Sequence, residues 1–173
     1  MDQVAPERGH RAREHGPVVL AALKGSWQGG GKGHYPTIKP FAYVEEFSIT
    51  PVPGRPVAAW VSRTRDAGNA EPRHSETGFL RVVDHGVELV VAHSFGVVEV
   101  ATGGFDADAG LLTLSSVTVA GAPSAKHIDH IVRVYRIEGD TVHYDVSMAA
   151  VGVDLTHHLS ADLSRAAGSP VDP

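Results

Sequence analysis

Cysteine is absent from the 173 residues. That excludes disulfide staples, thiolate zinc sites and cysteine nucleophiles. Aromatic side chains are scarce, at 6%, so a small closed β-architecture built from this chain has few large groups to fill its interior. Positive charge is not in excess. The net charge of −5 is the opposite of the basic face that nucleic acid requires, and no nucleic acid is expected as a partner. No apolar run approaches the roughly 20 residues that span a bilayer as a helix, so no membrane is expected either. The stretch 1–16 (MDQVAPERGHRAREHG) is charged and lacks the apolar core of a secretory signal. The expected compartment is therefore the cytoplasm. A composition with 42% hydrophobic and 20% charged residues suits one soluble globular domain, and 19 glycines with 11 prolines suit many turns.

The chain divides into a polar arm over 1–16, a domain over 17–165 and a tail over 166–173. Residues 17–24 (PVVLAALK) predict one short helix, with Pro17 at a first helical position and Gly25 just past the end. Downstream the period is two. Val142, Tyr144, Val146 and Met148 alternate with His143, Asp145 and Ser147. In the preceding segment Ile131, Arg133, Tyr135 and Ile137 oppose Val132, Val134 and Arg136, and Glu138-Gly139-Asp140 is a hairpin turn between the two. Leu112, Leu114, Val117 and Val119 mark another strand, and Glu88–Ala92 and Val97–Ala101 flank a turn at Ser94-Phe95-Gly96. Phe41–Thr50, Val57–Arg65 and His74–Asp84 are further strand candidates. Short strands at regular spacing indicate an antiparallel sandwich or barrel. Periodicity leaves open whether the interior is filled or holds a ligand.

Residues 25–38 are rich in glycine. A phosphate-cradling loop needs a strand before it and a helix after it, whereas here Tyr35-Pro36 and another strand follow. The segment reads as a strand in which Gly25, Gly29, Gly31 and Gly33 share one face with Trp27. Glycines so placed permit sharp coiling or close approach by another group, and Trp27 is placed to plug one end of a barrel.

These residues carry a resemblance. Gly25-x-Trp27-x-Gly29-x-Gly31, then Gly33-x-Tyr35-Pro36-Thr37-Ile38 and Pro40-Phe41-x-Tyr43-x-Glu45-Glu46, resemble the signature of the nitrobindin family. His74-Ser75-Glu76-Thr77-Gly78-Phe79-Leu80-Arg81, Gly96-Val97-x-Glu99, Ala125-Lys126 and Met148-x-Ala150-Val151-Gly152 leading to His158-Leu159 extend it over about residues 20–165. The resemblance implies an all-β fold: a ten-stranded antiparallel β-barrel related to lipocalins and fatty-acid-binding proteins. It implies one haem b per chain at an open end, with iron bound by a histidine of the last strand at the position of His158. It implies isomerisation of peroxynitrite to nitrate at a five-coordinate ferric iron, and binding of nitric oxide. Thr37 falls where the family contacts haem, and its hydroxyl suits a propionate oxygen; Lys126 is a candidate to pair with a propionate as a point charge. A homodimer is left open. The alternatives are a lipocalin-like carrier of an apolar ligand without catalysis, and a nitric oxide sensor acting through a separate partner.

Eleven histidines and no cysteine make imidazole the available iron ligand, and thiolate-ligated or c-type haem is excluded. The two adjacent candidates conflict. On a regular strand His157 shares the face of Leu155, Leu159, Ala161 and Leu163, so parity sends His157 inward, whereas the resemblance selects His158. A bulge near Gly152–Asp154 or an outward-opening haem cleft would reconcile them. The sequence departs from the family at Asp154, where proline is usual. His34, His74, His93, His127, His130 and His143 lack tight metal spacing and are expected to be structural or surface residues. Glu45 and Glu46 are strand neighbours on opposite faces and cannot act as a pair.

Overall fold

The computed structural model describes residues 18–167; the arm over 1–16, Pro17 and most of the tail lie outside them. Ten strands follow a short helix over residues 18–23. They are β1 (Gly25–Tyr35), β2 (Ile38–Pro51), β3 (Val57–Asp66), β4 (Pro72–Val83) and β5 (Gly86–His93), then β6 (Val97–Asp106), β7 (Leu111–Gly121), β8 (Ile128–Glu138), β9 (Thr141–Ala150) and β10 (Val153–Arg165). Each pairs antiparallel with its sequence neighbour, and β1 pairs with β10 to close the barrel. Among the described residues every strand thus has a neighbour on both sides. Among the described residues no helix is long and apolar enough to cross a membrane.

Alternation decides what lies inside. Val142, Tyr144 and Val146 of β9 are buried, as are Ile131, Arg133, Tyr135 and Ile137 of β8. The β8–β9 turn uses Gly139 in the left-handed region, at φ 57°. In β7 the parity set by Leu112 and Leu114 holds through Ser116 and Val117 and reverses beyond, so Val117 and Thr118 both face out and Val119 packs against the core. The β6–β7 register shifts there, because Val100 pairs with Thr118 and Ala101 with Ser116, and Val117 is turned out to solvent.

The two ends of the barrel differ. Trp27 closes one of them. Its Nε1 donates to the Leu23 carbonyl at 2.8 Å, and Val19 and Leu23 of the helix are fully buried beside it. The Arg165 guanidinium lies 4.1 Å from the Trp27 ring centroid. The glycine face of β1 admits neighbours no other residue would. A Cβ at Gly31 would sit 2.3 Å from Tyr43 Cζ, and one at Gly33 would sit 2.2 Å from Phe41 Cζ. Two aromatic rings of β2 therefore lie across β1, toward the other, open end.

Candidate functional site

That open end contains a cavity of about 500 Å³, within the size range of small-molecule and cofactor pockets. Much of its wall is apolar: Phe41, Ile128, Ile131, Val146, Met148 and Leu159. His158 lines the same cavity. Two irregularities in β10 put it there. The β9–β10 register shifts once between Val153 and Thr156 and again between His157, opposite Ser147, and Leu159, opposite Val146. The second shift inserts an extra residue at His158, so His158 and Leu159 both reach the interior. The first lies just after the bulge expected near Gly152–Asp154; the second is the one that resolves the parity conflict. His157 is outside. Its Nε2 lies 2.9 Å from Asp145 Oδ1, its ring lies beside that of His34, and Leu155 is half-exposed.

His158 is held in one tautomer. Its Nδ1 donates to the His34 carbonyl at 2.8 Å, which leaves Nε2 as the lone-pair nitrogen; among the described residues Nε2 has no hydrogen-bond partner. Burial lowers its pKa, against the raising effect of the His34 carbonyl, so the neutral, ligating form is favoured. The ring packs edge-on against Tyr35, 5.3 Å between centroids. Tyr35 Oη in turn accepts the Ala150 N–H at 2.9 Å and faces the Met148 carbonyl at 3.2 Å, which ties β1 to β9 beneath the bulge. An oriented neutral imidazole at the wall of an apolar cavity is what axial ligation of haem iron needs.

Below the cavity lies a charged layer that sequence reasoning missed. Arg133 donates to both oxygens of Glu76, at 3.0 and 2.9 Å, and its Nε and Nη2 reach Glu99, the shortest contact being 2.6 Å. All three are buried. Burial alone would raise the two carboxyls, but Arg133 and the neighbouring imidazoles hold Glu76 well below the ordinary range and Glu99 below it. His93 and His74, expected to be structural or surface residues, meet here. Glu76 pairs with His93 across the β4–β5 ladder, and the two rings are 5.3 Å apart. The available signal was charge at inward parity, since Glu76, Glu99 and Arg133 each occupy a core-facing position of an otherwise apolar face.

A second buried carboxyl layer lies beside it. Glu45 accepts from Ser62 Oγ at 2.6 Å and from Tyr144, whose hydroxyl also meets that of Tyr43 at 2.7 Å. Burial raises its pKa. Glu46 points outward, as expected from its parity.

The remaining predicted contacts do not line the cavity wall. Thr37 is exposed in the β1–β2 turn, one residue before the cavity-lining stretch Ile38-Lys39-Pro40. Lys126 is exposed in the β7–β8 loop, beside a smaller depression that shares Ile128 with the cavity. Of the motif residues, Trp27 and Gly29 belong to the closed half of the barrel, Gly25 adjoins the helix, and Gly31 admits Tyr43. His127 pairs with Asp129 on the surface, while His130 sits between Ser115 and Ser116.

Comparison with known proteins agrees with this geometry. The model of the THAP4-like, heme-binding beta-barrel domain matches residues 18–165. Peroxynitrite isomerase 1 of Mycolicibacterium paratuberculosis is 44% identical over 151 residues, covering 86% of this chain and 93% of that protein. Peroxynitrite isomerase 1 of Mycobacterium tuberculosis is 43% identical over 153 residues, covering 85% and 93%. The crystal structure of Rv2717c from M. tuberculosis matches with a TM-score of 0.81 at 38% identity, over 95% of this chain and 99% of that one. An S-type phycobiliprotein lyase from Guillardia theta shares the fold alone, with a TM-score of 0.58 at 12% identity over 93% and 98% of the chains. The chain belongs to the THAP4-like, haem-binding β-barrel family, the nitrobindins, whose cofactor is haem.

Proposed function

We propose that this protein is a peroxynitrite isomerase that holds one haem b through His158 Nε2. The observation that carries the reading is the His158 bulge. It turns one imidazole into an apolar cavity and fixes its tautomer on the His34 carbonyl. The absence of cysteine excludes thioether attachment of the haem, which fits haem b. Haem held there would supply Lewis-acidic iron and the redox chemistry of O–O cleavage.

The chain does the rest. His158 holds and orients the cofactor. Phe41, Ile128, Val146 and Met148 exclude water from the reacting pair. Lys39 places a cationic group on the cavity wall, which favours an anionic substrate and anionic propionates, while Arg73 on the same wall is paired with Asp66. Thr37 and Lys126, from loops flanking the mouth, are the proposed propionate contacts. Conversion of peroxynitrite to nitrate conserves every atom, the charge and the proton count, so no side chain has to act as acid or base. The apolar wall equally admits a neutral diatomic, which supports nitric oxide as a second ligand.

Stopped-flow mixing tests the reading. Haem-loaded protein at substoichiometric concentration is expected to accelerate peroxynitrite loss with nitrate as product, and His158→Ala is expected to return the rate to background. Loss no faster than buffer alone with haem-loaded protein refutes it.

A further inference from the structure

Three ligand-type atoms of the buried charged layer face one another. His93 Nδ1 lies 3.3 Å from His74 Nε2, His74 Nε2 lies 3.4 Å from Glu76 Oε1, and His93 Nδ1 lies 3.5 Å from that same oxygen. A regular tetrahedron with bonds of ~2.1 Å, the length of zinc–nitrogen and zinc–oxygen bonds, has edges of about 3.4 Å. An octahedron with the same bonds has edges of about 3.0 Å. The triangle thus has the dimensions of one face of a tetrahedral zinc-type centre. Two imidazoles and one carboxylate, with a fourth position left open, is also a donor set that such centres use.

Each of the three side chains is oriented from behind. His93 presents its other nitrogen, Nε2, to Glu99 Oε2 at 3.2 Å. His74 Nδ1 faces Ser94 Oγ at 3.5 Å, and that hydroxyl oxygen accepts the Ser75 N–H at 3.0 Å. Glu76 is gripped by Arg133 and receives Trp60 Nε1 at 3.3 Å. A carboxylate behind a ligating histidine is the usual support of a metal site. Phe95 lies against both imidazoles, with centroids 4.9 and 5.2 Å away, and restrains their rotation. Two carboxylates and one guanidinium share this buried layer with the two imidazoles.

We propose that His74 Nε2, His93 Nδ1 and Glu76 Oε1 bind a divalent transition metal of the zinc type beside the haem, with the fourth coordination position facing the cavity they share with His158. This site is separate from the axial ligand and does not depend on it.

The test uses haem-loaded protein incubated with Zn(II) and freed of unbound metal, with zinc and iron counted separately by mass spectrometry. One zinc per chain is expected. His74→Ala is expected to weaken zinc binding at least about 100-fold, since loss of a partner behind the ligands alone costs 10–100-fold; Ser94→Ala is expected to weaken it about tenfold. His127→Ala, on the surface, should bind as the parent does. The Soret band of each sample reports an intact loaded barrel. His158→Ala should lose that band and keep the zinc, so failure of the haem reading and failure of this one are distinguishable. In that haem-free variant Co(II) serves as a probe that needs no change to the triad, and the strong visible absorption of a tetrahedral centre is expected. Absence of retained zinc in the loaded parent, equal binding by His74→Ala, or the weak absorption of six-coordinate Co(II) each overturns the proposal.

Discussion

The two ends of this barrel use the same alternating strands and opposite contents. At the closed end the inward positions are apolar or aromatic. Trp27 hydrogen-bonds the helix carbonyl of Leu23, and Phe47 and Trp60 pack edge-on at 4.7 Å. At the open end the inward positions include Glu76, His93, Glu99 and Arg133, capped by an apolar cavity. The closed end contributes stability through buried area, about 25 cal/mol per Å² of apolar surface. The charged layer contributes little net stability by comparison, because desolvation offsets much of its attraction, yet it is costly to disturb once built. Stability and function are therefore assigned to different halves of one sheet, and substitutions in the two halves should report on different properties.

The largest expected effect comes from the open half. Arg133→Leu leaves Glu76 and Glu99 buried without their cation and should cost about 3–5 kcal/mol in denaturant unfolding at neutral pH. The pH dependence has a definite sign. Both carboxyls have folded pKa values below the unfolded one, so their contribution is in force above roughly pH 4.3 and is lost as pH falls through the folded values. In Arg133→Leu the carboxyls instead favour protonation, so the stability gap between variant and parent should narrow as pH falls below about 4.5. A gap that widens there would contradict the ionised layer.

A smaller effect is expected at the other end. Leu23 is fully buried in the helix that covers Trp27. Leu23→Ala should cost about 3 kcal/mol, in the usual range for a core leucine. Because that end is remote from the cavity, the loaded protein should keep the parental Soret position. A shifted Soret band in Leu23→Ala would show that the two halves are coupled.

Much of the fold was legible because period-two alternation is a local property. The faces of β8 and β9 follow directly from Ile131, Tyr135, Val142 and Tyr144, and the glycine face of β1 announces that something must approach it closely. Where a bulge intervenes, local alternation fails. Val119 faces the core because β7 gains a residue at Val117 against β6, and His158 is inward because β10 gains one against β9. Neither insertion has a sequence signature of its own, since a bulge is set by how two strands match along their length. Resemblance to a family identified His158; parity alone favoured His157. The charged layer was illegible for another reason. Glu76, His93, Glu99 and Arg133 come from β4, β5, β6 and β8, and only the closed register of the barrel brings them together.

The central claim is that one of two adjacent imidazoles grips iron because a bulge turns it inward. Soret absorption of hemin-reconstituted His158→Ala and His157→Ala decides between them directly. The account predicts that His158→Ala fails to form the axial-ligand Soret band while His157→Ala forms it as the parent does. Loss of the band in His157→Ala with its retention in His158→Ala would contradict the account.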